Sequence, residues 1–254
     1  MIHPTALVHP NADLGKNVSV GPYSVIEDGV SIGEGTSVGN YTTVKSGTTI
    51  GKGCHIFHNC SIGEIPQDLK FKGEETQVEI GDNVTIRESV TINRGTADKG
   101  KTVIGSNVLL MATVHVAHDC FLGDHVIMSN LTTLGGHVTV EDYAILGGCV
   151  LVHQFTNIGA HVFIGGGFRA VQDVPPYILA AGEPLAFKGL NKIGLDRRGF
   201  SNETIAAIKK AYRLIYIKKA PKKEVIEKIQ NELNDVPEAM HIAEFLSSSE
   251  RGII

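Results

Sequence analysis

The chain of 254 residues contains no tryptophan, and aromatic residues make up only 6% of it. Charged residues are also scarce at 20%, while hydrophobic residues reach 42%, which excludes a highly charged disordered chain. The four cysteines have no CxxC spacing, which argues against a disulfide scaffold or a zinc ribbon and is typical of a reducing compartment. The net charge of -4 argues against a general nucleic-acid binder.

The sequence begins without the basic and then apolar segments of a secretory signal, so the expected location is the cytoplasm. The stretch from Tyr143 to Phe168 carries no formally charged side chain, but glycines, histidines and amides interrupt it. A stable insertion into a membrane is therefore not expected. Glycine is abundant, with 29 residues, and this disfavours a helical bundle because an interior glycine costs a helix about 1 kcal/mol.

An apolar residue recurs at every sixth position from Ile2 to Ile164. This register has 28 positions, and only Asp68, Glu74 and Asp98 are not apolar. A random chain of this composition would give about 12 apolar positions. A hexapeptide unit of this kind predicts an all-β parallel β-helix in which three units make one triangular coil. Successive coils would stack about 4.8 Å apart.

A second register, four residues after the first, holds small and β-branched residues that suit a narrow interior. Because Cys54, Cys60 and Cys120 occupy it, we interpret these cysteines as interior packing residues and not as ligands. Glycine often follows the aliphatic residue of the first register, as at Gly33, Gly51 and Gly63. There we expect a tight corner to need the conformational freedom of glycine.

The repeat is interrupted twice without losing its phase. Ile62 and Ile80 are three hexapeptides apart, the length of one coil, which predicts that residues 63–79 replace part of a coil with a projecting loop. Residues 93–102 form the second predicted loop. Long loops on a rigid scaffold are common places for function. The first domain, the β-helix, is predicted over residues 1–187.

A small C-terminal α-helical domain is predicted over residues 188–254. The repeat ends at two prolines near residue 175, and the period becomes helical beyond about residue 190. Ser201 is the predicted N-cap of one helix. Pro221 and Pro237 are predicted to open two more.

Charge is segregated along the chain. Residues 1–187 have 10 basic and 18 acidic residues (net -8), residues 188–223 have 11 and 2 (net +9), and residues 224–254 have 2 and 7 (net -5). The basic segment is either an ordinary solvated face or a docking surface for an acidic partner or phosphates, since clustered positive charge accelerates encounters with anions. Its helical lysines are Lys209, Lys210, Lys218, Lys219, Lys222 and Lys223.

The coil period gathers histidines along one edge of the prism. His118 lies one coil from Gly136 and two coils from Gln154, because each step between these positions spans three hexapeptides. Histidine is suited to general-base catalysis near neutral pH, and the carboxylate of Asp119 follows His118 directly. The four histidines of this edge are His115, His118, His137 and His153.

The glycine beside this cluster adds a second element, because the amide of Gly136 can approach an oxyanion closely. A base and a backbone donor one coil apart suit acyl transfer to a hydroxyl group. Zinc binding is the alternative, but axial steps of about 4.8 Å disfavour convergence on one ion, and no metal site is predicted. His125 and His161, two coils apart, form a separate line with a structural or groove-lining role.

The hexapeptide array and a set of local motifs together resemble the UDP-N-acetylglucosamine O-acyltransferase family of lipid A biosynthesis. The resemblance covers essentially the whole chain, including the helical tail. The motifs that carry it are Gln67-Asp68-Leu69-Lys70, Ile86-Arg87-Glu88-Ser89-Val90-Thr91-Ile92, His115-Val116-Ala117-His118-Asp119-Cys120, Gly136-His137, Val152-His153-Gln154-Phe155, Gln172-Asp173-Val174-Pro175-Pro176-Tyr177 and Arg197-Arg198-Gly199-Phe200.

This resemblance implies a left-handed parallel β-helix, a handedness that the periodicity does not supply. It implies a homotrimer with active sites between neighbouring chains. The implied reaction transfers a (R)-3-hydroxyacyl chain from acyl carrier protein to the 3-OH of UDP-N-acetylglucosamine, the first step of lipid A biosynthesis. No cofactor is implied beyond the phosphopantetheine of the carrier protein. The acidic carrier protein would also be the partner of the basic segment.

The resemblance further implies roles for individual residues. His118 would be the general base for the 3-OH, Asp119 would support it, and the Gly136 amide would stabilise the oxyanion. Gly166 matches the region that sets acyl length, where a small residue leaves room for a longer chain. The implied substrate-binding residues are Asp68, Lys70, His115, His137 and Gln154 for the sugar and diphosphate, with Gln67 and His153 beside them, and Asn191, Arg197 and Arg198 of the neighbouring chain for the nucleotide end.

Two positions depart from the family pattern. Ile193 stands where relatives often have glutamate, so part of the nucleotide contact is not expected here, and Asn93 stands where relatives can have histidine. The sequence leaves open the acyl length and the choice between a 3-hydroxyl and a 3-amino acceptor. The alternatives are acylation of a 3-amino UDP-sugar, a metal-dependent hydratase of the γ-carbonic-anhydrase type on the same fold, a coenzyme-A-dependent sugar acetyltransferase, and a non-catalytic scaffold.

Overall fold

The computed structural model describes residues 1–217 and 220–254, and the chain up to residue 190 consists of short strands joined by tight turns. In chain order the strands are β1 Leu7–Val8, β2 Asp13–Leu14, β3 Ser19–Val20, β4 Val25–Ile26, β5 Ser31–Ile32, β6 Ser37–Val38, β7 Thr43–Val44, β8 Thr48–Ile50, β9 His55–Ile56, β10 Ser61–Glu64, β11 Gln77–Ile80, β12 Thr85–Ile86, β13 Thr91–Asn93, β14 Lys101–Ile104, β15 Leu109–Leu110, β16 His115–Val116, β17 Phe121–Leu122, β18 Ile127–Met128, β19 Thr133–Leu134, β20 Thr139–Val140, β21 Ile145–Leu146, β22 Leu151–Val152, β23 Asn157–Ile158, β24 Phe163–Ile164, β25 Arg169–Ala170, β26 Ile178–Ala181 and β27 Ala186–Leu190.

The strands form three sheets that are the walls of a triangular prism. The orders are β1-β4-β7-β10-β13-β16-β19-β22-β25, β2-β5-β8-β11-β14-β17-β20-β23, and β27-β26-β24-β21-β18-β15-β12-β9-β6-β3. Every third strand is thus a neighbour in one sheet, and away from the loops the register step is three hexapeptides, as for Leu122 and Val140. The winding is that of a left-handed parallel β-helix, which confirms the fold expected from the sequence.

The first apolar register forms the core. The second residue of most two-residue strands points inward, and Ile86, Leu110 and Met128 are completely buried. Burial of one such side chain stabilises the fold by about 1.5–3 kcal/mol. The three cysteines of the second register, Cys54, Cys60 and Cys120, are also buried. Their interpretation as packing residues is therefore confirmed.

Gly33 and Gly51 serve close packing and not backbone freedom. A Cβ atom at Gly33 would lie 2.6 Å from the carbonyl carbon of Gly51 in the next coil, and neither residue has a positive φ. The expectation of special conformational freedom is therefore wrong at these two glycines, but it is confirmed at Gly63, whose φ is 84°. The left-handed conformation also occurs at the second residue of most turns, for example at Asn107, Thr113 and Asp119, each with φ 59°.

The first loop also differs from its expected geometry. Ile80 pairs with Ile50, and Ile62 pairs with Ile92, so residues 62 and 80 belong to different walls. The chain from residue 62 to residue 80 therefore passes from one wall to the next and includes an inserted loop. The prediction that it spans one full coil is wrong. The first loop comprises residues 65–76, and the second loop comprises residues 94–100 between β13 and β14.

The C-terminal segment contains the helices α1 Lys192–Arg197, α2 Asn202–Tyr212, α3 Lys222–Glu232 and α4 Pro237–Ser248, with a π-helical turn at Arg213–Ile217. The Ser201 hydroxyl accepts from the amide of Thr204 at 3.1 Å, which confirms the predicted N-cap. Pro221 and Pro237 stand at the starts of α3 and α4, as predicted. The sequence did not predict α1 or the antiparallel pair β26–β27.

Hydrogen bonds and an ion pair connect the C-terminal helices to the last coils of the prism. The Tyr212 hydroxyl donates to the carbonyl of Pro176 at 2.5 Å. His241 lies between the Tyr177 hydroxyl, 2.9 Å from Nδ1, and the Glu141 carboxylate, 3.0 Å from Nε2. The predicted domain boundary after residue 187 lies within β27. None of the helices in residues 1–217 and 220–254 is long and apolar enough to cross a membrane.

Candidate active site

A corner of the prism places His118 and Asp119 in the turn between β16 and β17. The amide of His137 donates to the carbonyl of His118 at 3.0 Å, and the amide of Phe155 donates to the carbonyl of Gly136 at 3.0 Å. These bonds stack the three turns directly on one another. They confirm the placement of His118, Gly136 and Gln154 on successive coils.

A short hydrogen bond joins His118 to Asp119. Nδ1 of His118 lies 2.8 Å from Oδ2 of Asp119, whose side chain is fully buried. Burial raises the pKa of the Asp119 carboxyl, but hydrogen bonds from Thr96 and His118 bring this pKa below its ordinary value. An anionic carboxylate only accepts hydrogen bonds, so Nδ1 of His118 is the donor and Nε2 keeps a free lone pair.

Thr96 of the second loop is a site residue that the sequence analysis missed. Its amide donates to Oδ1 of Asp119 at 2.9 Å, and its hydroxyl donates to Oδ2 at 2.7 Å. The hexapeptide period ends on either side of the loop, so the period could not place Thr96 against the turn. The one available signal is Asp98, which interrupts the apolar register in the same loop.

Gly136 lies against the imidazole of His118. A Cβ atom built on Gly136 would approach Cε1 of His118 to 2.6 Å and Nε2 to 2.7 Å. Only a glycine allows the two groups this proximity. The amide of Gly136 donates no hydrogen bond within the described part of the chain, so a backbone donor remains available beside the base.

His137 and His115 flank this pair. The rings of His118 and His137 meet edge to face at 5.1 Å, and His137 stacks on Phe155 at 4.4 Å. Nε2 of His137 is 3.5 Å from Oδ2 of Asp119. Nδ1 of His115 is 2.7 Å from the Thr91 hydroxyl. Burial, and then the charge of His118, lower the pKa of His115 and favour its neutral form.

His118, Asp119 and His137 could also hold a metal ion. Each offers one ligand atom, and these atoms lie within 4.8 Å of one another. An ion bound at Nδ1 of His118 would replace the hydrogen bond of that atom to Asp119. Two imidazoles and a carboxylate suit zinc, so the donor set fits such an ion while the present geometry favours the hydrogen bond.

A cleft of about 340 Å³ opens beside His137, between the two loops. Asp68 is half-buried and accepts from the amide of Lys70 at 2.9 Å, while Gln67 and Lys70 are exposed. The structure therefore brings part of the implied substrate-binding set to the catalytic corner. The residues that line the cleft are Asp68, Lys70, Phe71, Glu74, Thr96, Ala97, Asp98, His137 and Phe155.

Other implied residues of the same edge are more exposed. His153 and Gln154 lie one coil above Gly136 with exposed side chains. Nδ1 of His153 is 3.3 Å from a guanidinium nitrogen of Arg251, near the C-terminus. Asn93, one of the departures from the family pattern, is buried, and its amide donates to the carbonyl of Ile65 at 3.1 Å.

Within one chain, the remaining implied residues do not meet this corner in the part that the structure describes. Gly166 lies at a different corner, where a Cβ atom would come 3.0 Å from the carbonyl oxygen of Gly148. Arg198 lies at the third corner, over the ring of Tyr143 at 5.0 Å, and Arg197 is exposed. Asn191 is the N-cap of α1, and its amide donates to the carbonyl of His161 at 2.9 Å.

The second histidine line is a stacked column at this third corner. His125 stacks on Tyr143 at 4.5 Å, and Tyr143 stacks on His161 at 4.8 Å. The ring of His161 also stacks on the ring of Tyr177, with the ring centroids 5.7 Å apart. Burial lowers the pKa of His161 to about 4, so the ring is neutral near pH 7. The predicted structural role of His125 and His161 is consistent with this stacking.

The basic segment is partly neutralised by the chain itself. Lys210 pairs with Glu232 at 2.8 Å, and the Lys222 ammonium donates to the carbonyl of Ser249 at 3.0 Å. Lys209 is exposed. Lys218 and Lys219 lie outside the described residues. An apolar groove of about 400 Å³ adjoins the segment, and its lining residues are Phe187, Gly189, Leu190, Lys192, Ile205, Lys209, Tyr212, Arg213 and Ile217.

Comparisons with known proteins agree with one another. The family described as Udp N-acetylglucosamine O-acyltransferase, Domain 2, matches residues 173–254. The acyl-[acyl-carrier-protein]–UDP-N-acetylglucosamine O-acyltransferase of Thermodesulfovibrio yellowstonii is 51% identical over 253 residues, covering 99% of this chain and 98% of the relative. The enzyme of the same name from Trichlorobacter lovleyi is 53% identical over 256 residues, covering 99% and 98%.

Solved structures show the same similarity along the full length. The crystal structure of a UDP-N-acetylglucosamine acyltransferase from Bacteroides fragilis is 48% identical, covers 100% of both chains and superposes with a TM-score of 0.97. The structure of LpxA from Acinetobacter baumannii is 43% identical with a TM-score of 0.97, covering 100% of this chain and 99% of the other. The similarity therefore includes the β-helix, both loops and the C-terminal helices.

Proposed function

This chain belongs to the UDP-N-acetylglucosamine O-acyltransferase family, and on that premise we propose that it transfers a (R)-3-hydroxyacyl group from acyl carrier protein to the 3-OH of UDP-N-acetylglucosamine. This is the first step of lipid A biosynthesis. The observation that supports the mechanism best is the contact of His118 with Asp119 at 2.8 Å, beside a Gly136 amide that donates no hydrogen bond among the described residues.

His118 acts as the general base in this mechanism. Its Nε2 takes the proton of the 3-OH while the sugar oxygen attacks the carbonyl carbon of the thioester. The buried carboxylate of Asp119 holds Nδ1–H and stabilises the imidazolium that forms. A positioned general base contributes about 10²- to 10⁴-fold to a rate.

Gly136 stabilises the tetrahedral intermediate that the attack forms. The attack places a negative charge on the thioester oxygen, and the Gly136 amide donates to this oxyanion. When the tetrahedral intermediate collapses, the bond between carbon and sulfur breaks. The phosphopantetheine thiolate then takes the proton from the imidazolium of His118, so the ester, the free thiol and the neutral base are restored. No metal and no further cofactor enters this sequence.

The distribution of the implied residues supports a homotrimer. The catalytic pair, Gly166 and Arg198 lie at three different corners of one prism. Rotational assembly of three copies places different corners of neighbouring chains side by side, which lets one cleft receive all three groups. Sugar and diphosphate then contact the cleft that Asp68, Lys70 and His137 line, and the nucleotide end reaches the arginines of the neighbouring chain.

The acyl carrier protein docks on the basic segment in this proposal. Lys192, Lys209 and Arg213 surround an apolar groove, and this combination suits an acidic protein that presents apolar side chains. The site of action is the cytoplasm, which is consistent with the four free cysteines, since a reducing compartment keeps thiols unpaired.

The test is mass spectrometry of UDP-N-acetylglucosamine incubated with a series of 3-hydroxyacyl carrier proteins. The wild type should give a 3-O-acylated product, whose mass also reports the preferred acyl length. His118→Ala should lose at least about 100-fold in rate while staying folded. The matched control is His58→Ala, because His58 is an exposed histidine at the equivalent turn position of another corner. A fully active His118→Ala variant would contradict the mechanism.

Two further arms separate the alternatives. A 3-amino UDP-sugar replaces the sugar substrate in the first arm, and preferential amide formation would favour the amine acceptor. The second arm adds a strong chelator and measures hydration of carbon dioxide, because the ligand atoms of His118, Asp119 and His137 lie within 4.8 Å. Acyl transfer that persists in chelator, without hydratase activity, supports the proposal.

A further inference from the structure

We propose that Thr96 is the positioning residue of the catalytic pair, because it holds Asp119 in the orientation that serves His118 and not His137. This inference rests on the role of His118 proposed above. It assigns a function to the second loop, although none of the charged side chains of that loop takes part in the proposed reaction.

Asp119 has two possible imidazole partners in the site. Nδ1 of His118 is 2.8 Å from Oδ2, and Nε2 of His137 is 3.5 Å from the same oxygen. A rotation of the carboxylate would bring it closer to His137 and leave Nδ1 of His118 without its acceptor. The orientation of Asp119 therefore decides which histidine is activated.

Thr96 fixes that orientation with two donors. Its amide reaches Oδ1 at 2.9 Å, and its hydroxyl reaches Oδ2 at 2.7 Å, so both carboxylate oxygens are held at once. The amide of Asp98 donates to the same hydroxyl oxygen at 3.3 Å. Since this bond occupies a lone pair of the hydroxyl oxygen, the hydroxyl proton is directed to Asp119. The amide of Asp119 itself donates to the Thr102 hydroxyl at 2.9 Å.

The second loop is built to keep Thr96 in place. The amide of Gly100 donates to the carbonyl of Thr96 at 2.8 Å, and the Thr76 hydroxyl donates to the carbonyl of Gly95 at 2.5 Å. A Cβ atom at Gly95 would lie 2.6 Å from Cα of Lys101, so the base of the loop is closed and accepts no side chain there. A loop closed in this way loses little entropy when it orders its donors.

Removal of the Thr96 hydroxyl should alter proton affinity as well as geometry. The titratable groups that face His118 are Asp119, His115 and His137, and Asp98 faces His137 at 3.3 Å. The hydrogen bonds from Thr96 help to hold the pKa of Asp119 below its ordinary value, so with one donor fewer the carboxylate disperses less charge and binds a proton more strongly. A protonated Asp119 no longer accepts the Nδ1–H of His118, so the loss of function on the acidic side begins at a higher pH than in the wild type.

The experiment compares Thr96→Val, which removes the hydroxyl and keeps the shape, with Thr96→Ser, which keeps the hydroxyl. We expect Thr96→Val to lower kcat about 10- to 100-fold with little change in KM for the sugar nucleotide, as for loss of a hydrogen bond to a charged group. The acidic limb of its pH profile should move to higher pH. Thr96→Ser should restore both the rate and the profile.

Thr42→Val is the matched control. The buried Thr42 hydroxyl donates to the carbonyl of Phe57 at 2.9 Å and accepts from the amide of Cys60 at 3.2 Å, far from the catalytic corner. This variant should keep the wild-type pH profile. If Thr96→Val does not fold, Thr96→Ala removes the same hydroxyl with a smaller side chain, and the same readouts apply.

The outcomes separate this inference from the proposed function. A folded Thr96→Val variant with the wild-type rate and pH profile overturns the positioning role while His118→Ala still abolishes transfer. The positioning role is also overturned if Thr96→Val and Thr96→Ser lose rate equally and neither shifts the acidic limb of the pH profile. That result would show that Thr96 contributes only to the structure of the loop. If His118→Ala retains full activity, the error lies in the proposed mechanism itself.

Discussion

A methyl group at Gly136 should lower the catalytic rate about 100-fold and leave the fold intact. In Gly136→Ala the new Cβ atom would stand 2.6 Å from Cε1 and 2.7 Å from Nε2 of His118. Ordinary contact between carbon atoms is about 3.5 Å, so the imidazole must move by about 1 Å. A misplacement of this size costs a reaction about 100-fold in rate.

The fold should tolerate this change because the colliding atoms belong to a side chain. Ala112 occupies the same turn position at another corner, so the turn itself accepts a methyl group. The neighbouring residue gives the matched contrast. In Gly135→Ala the Cβ atom would lie 2.7 Å from the backbone nitrogen of Gln154, which cannot move without separating the coils.

The assay is the initial rate of product formation by mass spectrometry, together with thermal melting of both variants. We expect Gly136→Ala to melt near the wild-type temperature with a rate lowered about 100-fold, and Gly135→Ala to lose thermal stability. A Gly136→Ala protein that is folded and nearly as active as the wild type would refute the reasoning. It would show that catalysis does not depend on the close approach of Gly136 to His118.

Three further predictions concern stability and reactivity. His161→Phe keeps the stacked column but removes an imidazole whose pKa is lowered to about 4 in the folded protein. Protonation of this histidine in the unfolded chain, below a pKa of about 6.5, destabilises the wild-type fold as pH falls. The melting temperature of the variant should therefore drop less than that of the wild type between about pH 7 and pH 4.5. Glu141→Gln removes the negative charge of the acceptor whose hydrogen bond raises the pKa of His241. The charged pair stabilises the fold below about pH 6.5, and its contribution is lost as pH rises through the raised value, so the difference in unfolding free energy between wild type and variant should shrink from about pH 6 to pH 8 in urea titrations. Burial raises the pKa of the Cys120 thiol to about 12, so a thiol reagent should leave Cys120 unmodified in the native protein and modify it only in denaturant; rapid native labelling at this position, read by peptide mass spectrometry, would contradict its burial.

The catalytic corner could be located from sequence spacing because its residues obey the hexapeptide period. His118, Gly136 and Gln154 follow one another in steps of three hexapeptides, and hydrogen bonds between the turns hold them on successive coils. The period fails where the chain leaves it. Thr91 and His115 pair across 24 residues because the second loop is inserted between their coils, so step counting misses this contact.

Contacts made by the loops and the helical segment could not be predicted from periodicity. Thr96 reaches Asp119 through the path of an irregular loop, which only the folded chain determines. The expected role of Asn191 at the nucleotide end stays a prediction, and periodicity did not predict that its side chain caps α1 and donates to the carbonyl of His161. A motif identifies a residue as important without telling whether its side chain faces a ligand or the chain itself.

The two ends of the prism limit how copies of this protein can aggregate. Stacked parallel strands present unpaired amides and carbonyls at each end, and such edges can recruit strands of another molecule into a fibre. At one end, the C-terminal helices and a bridge between Asp173 and Ile253 cover the last coil. At the other end, β1 and β2 contain two residues each, and Ile2 makes a single bridge to Val20. Edges this short offer an incoming strand only a few bonds in each wall, although the internal architecture is that of an extendable stack.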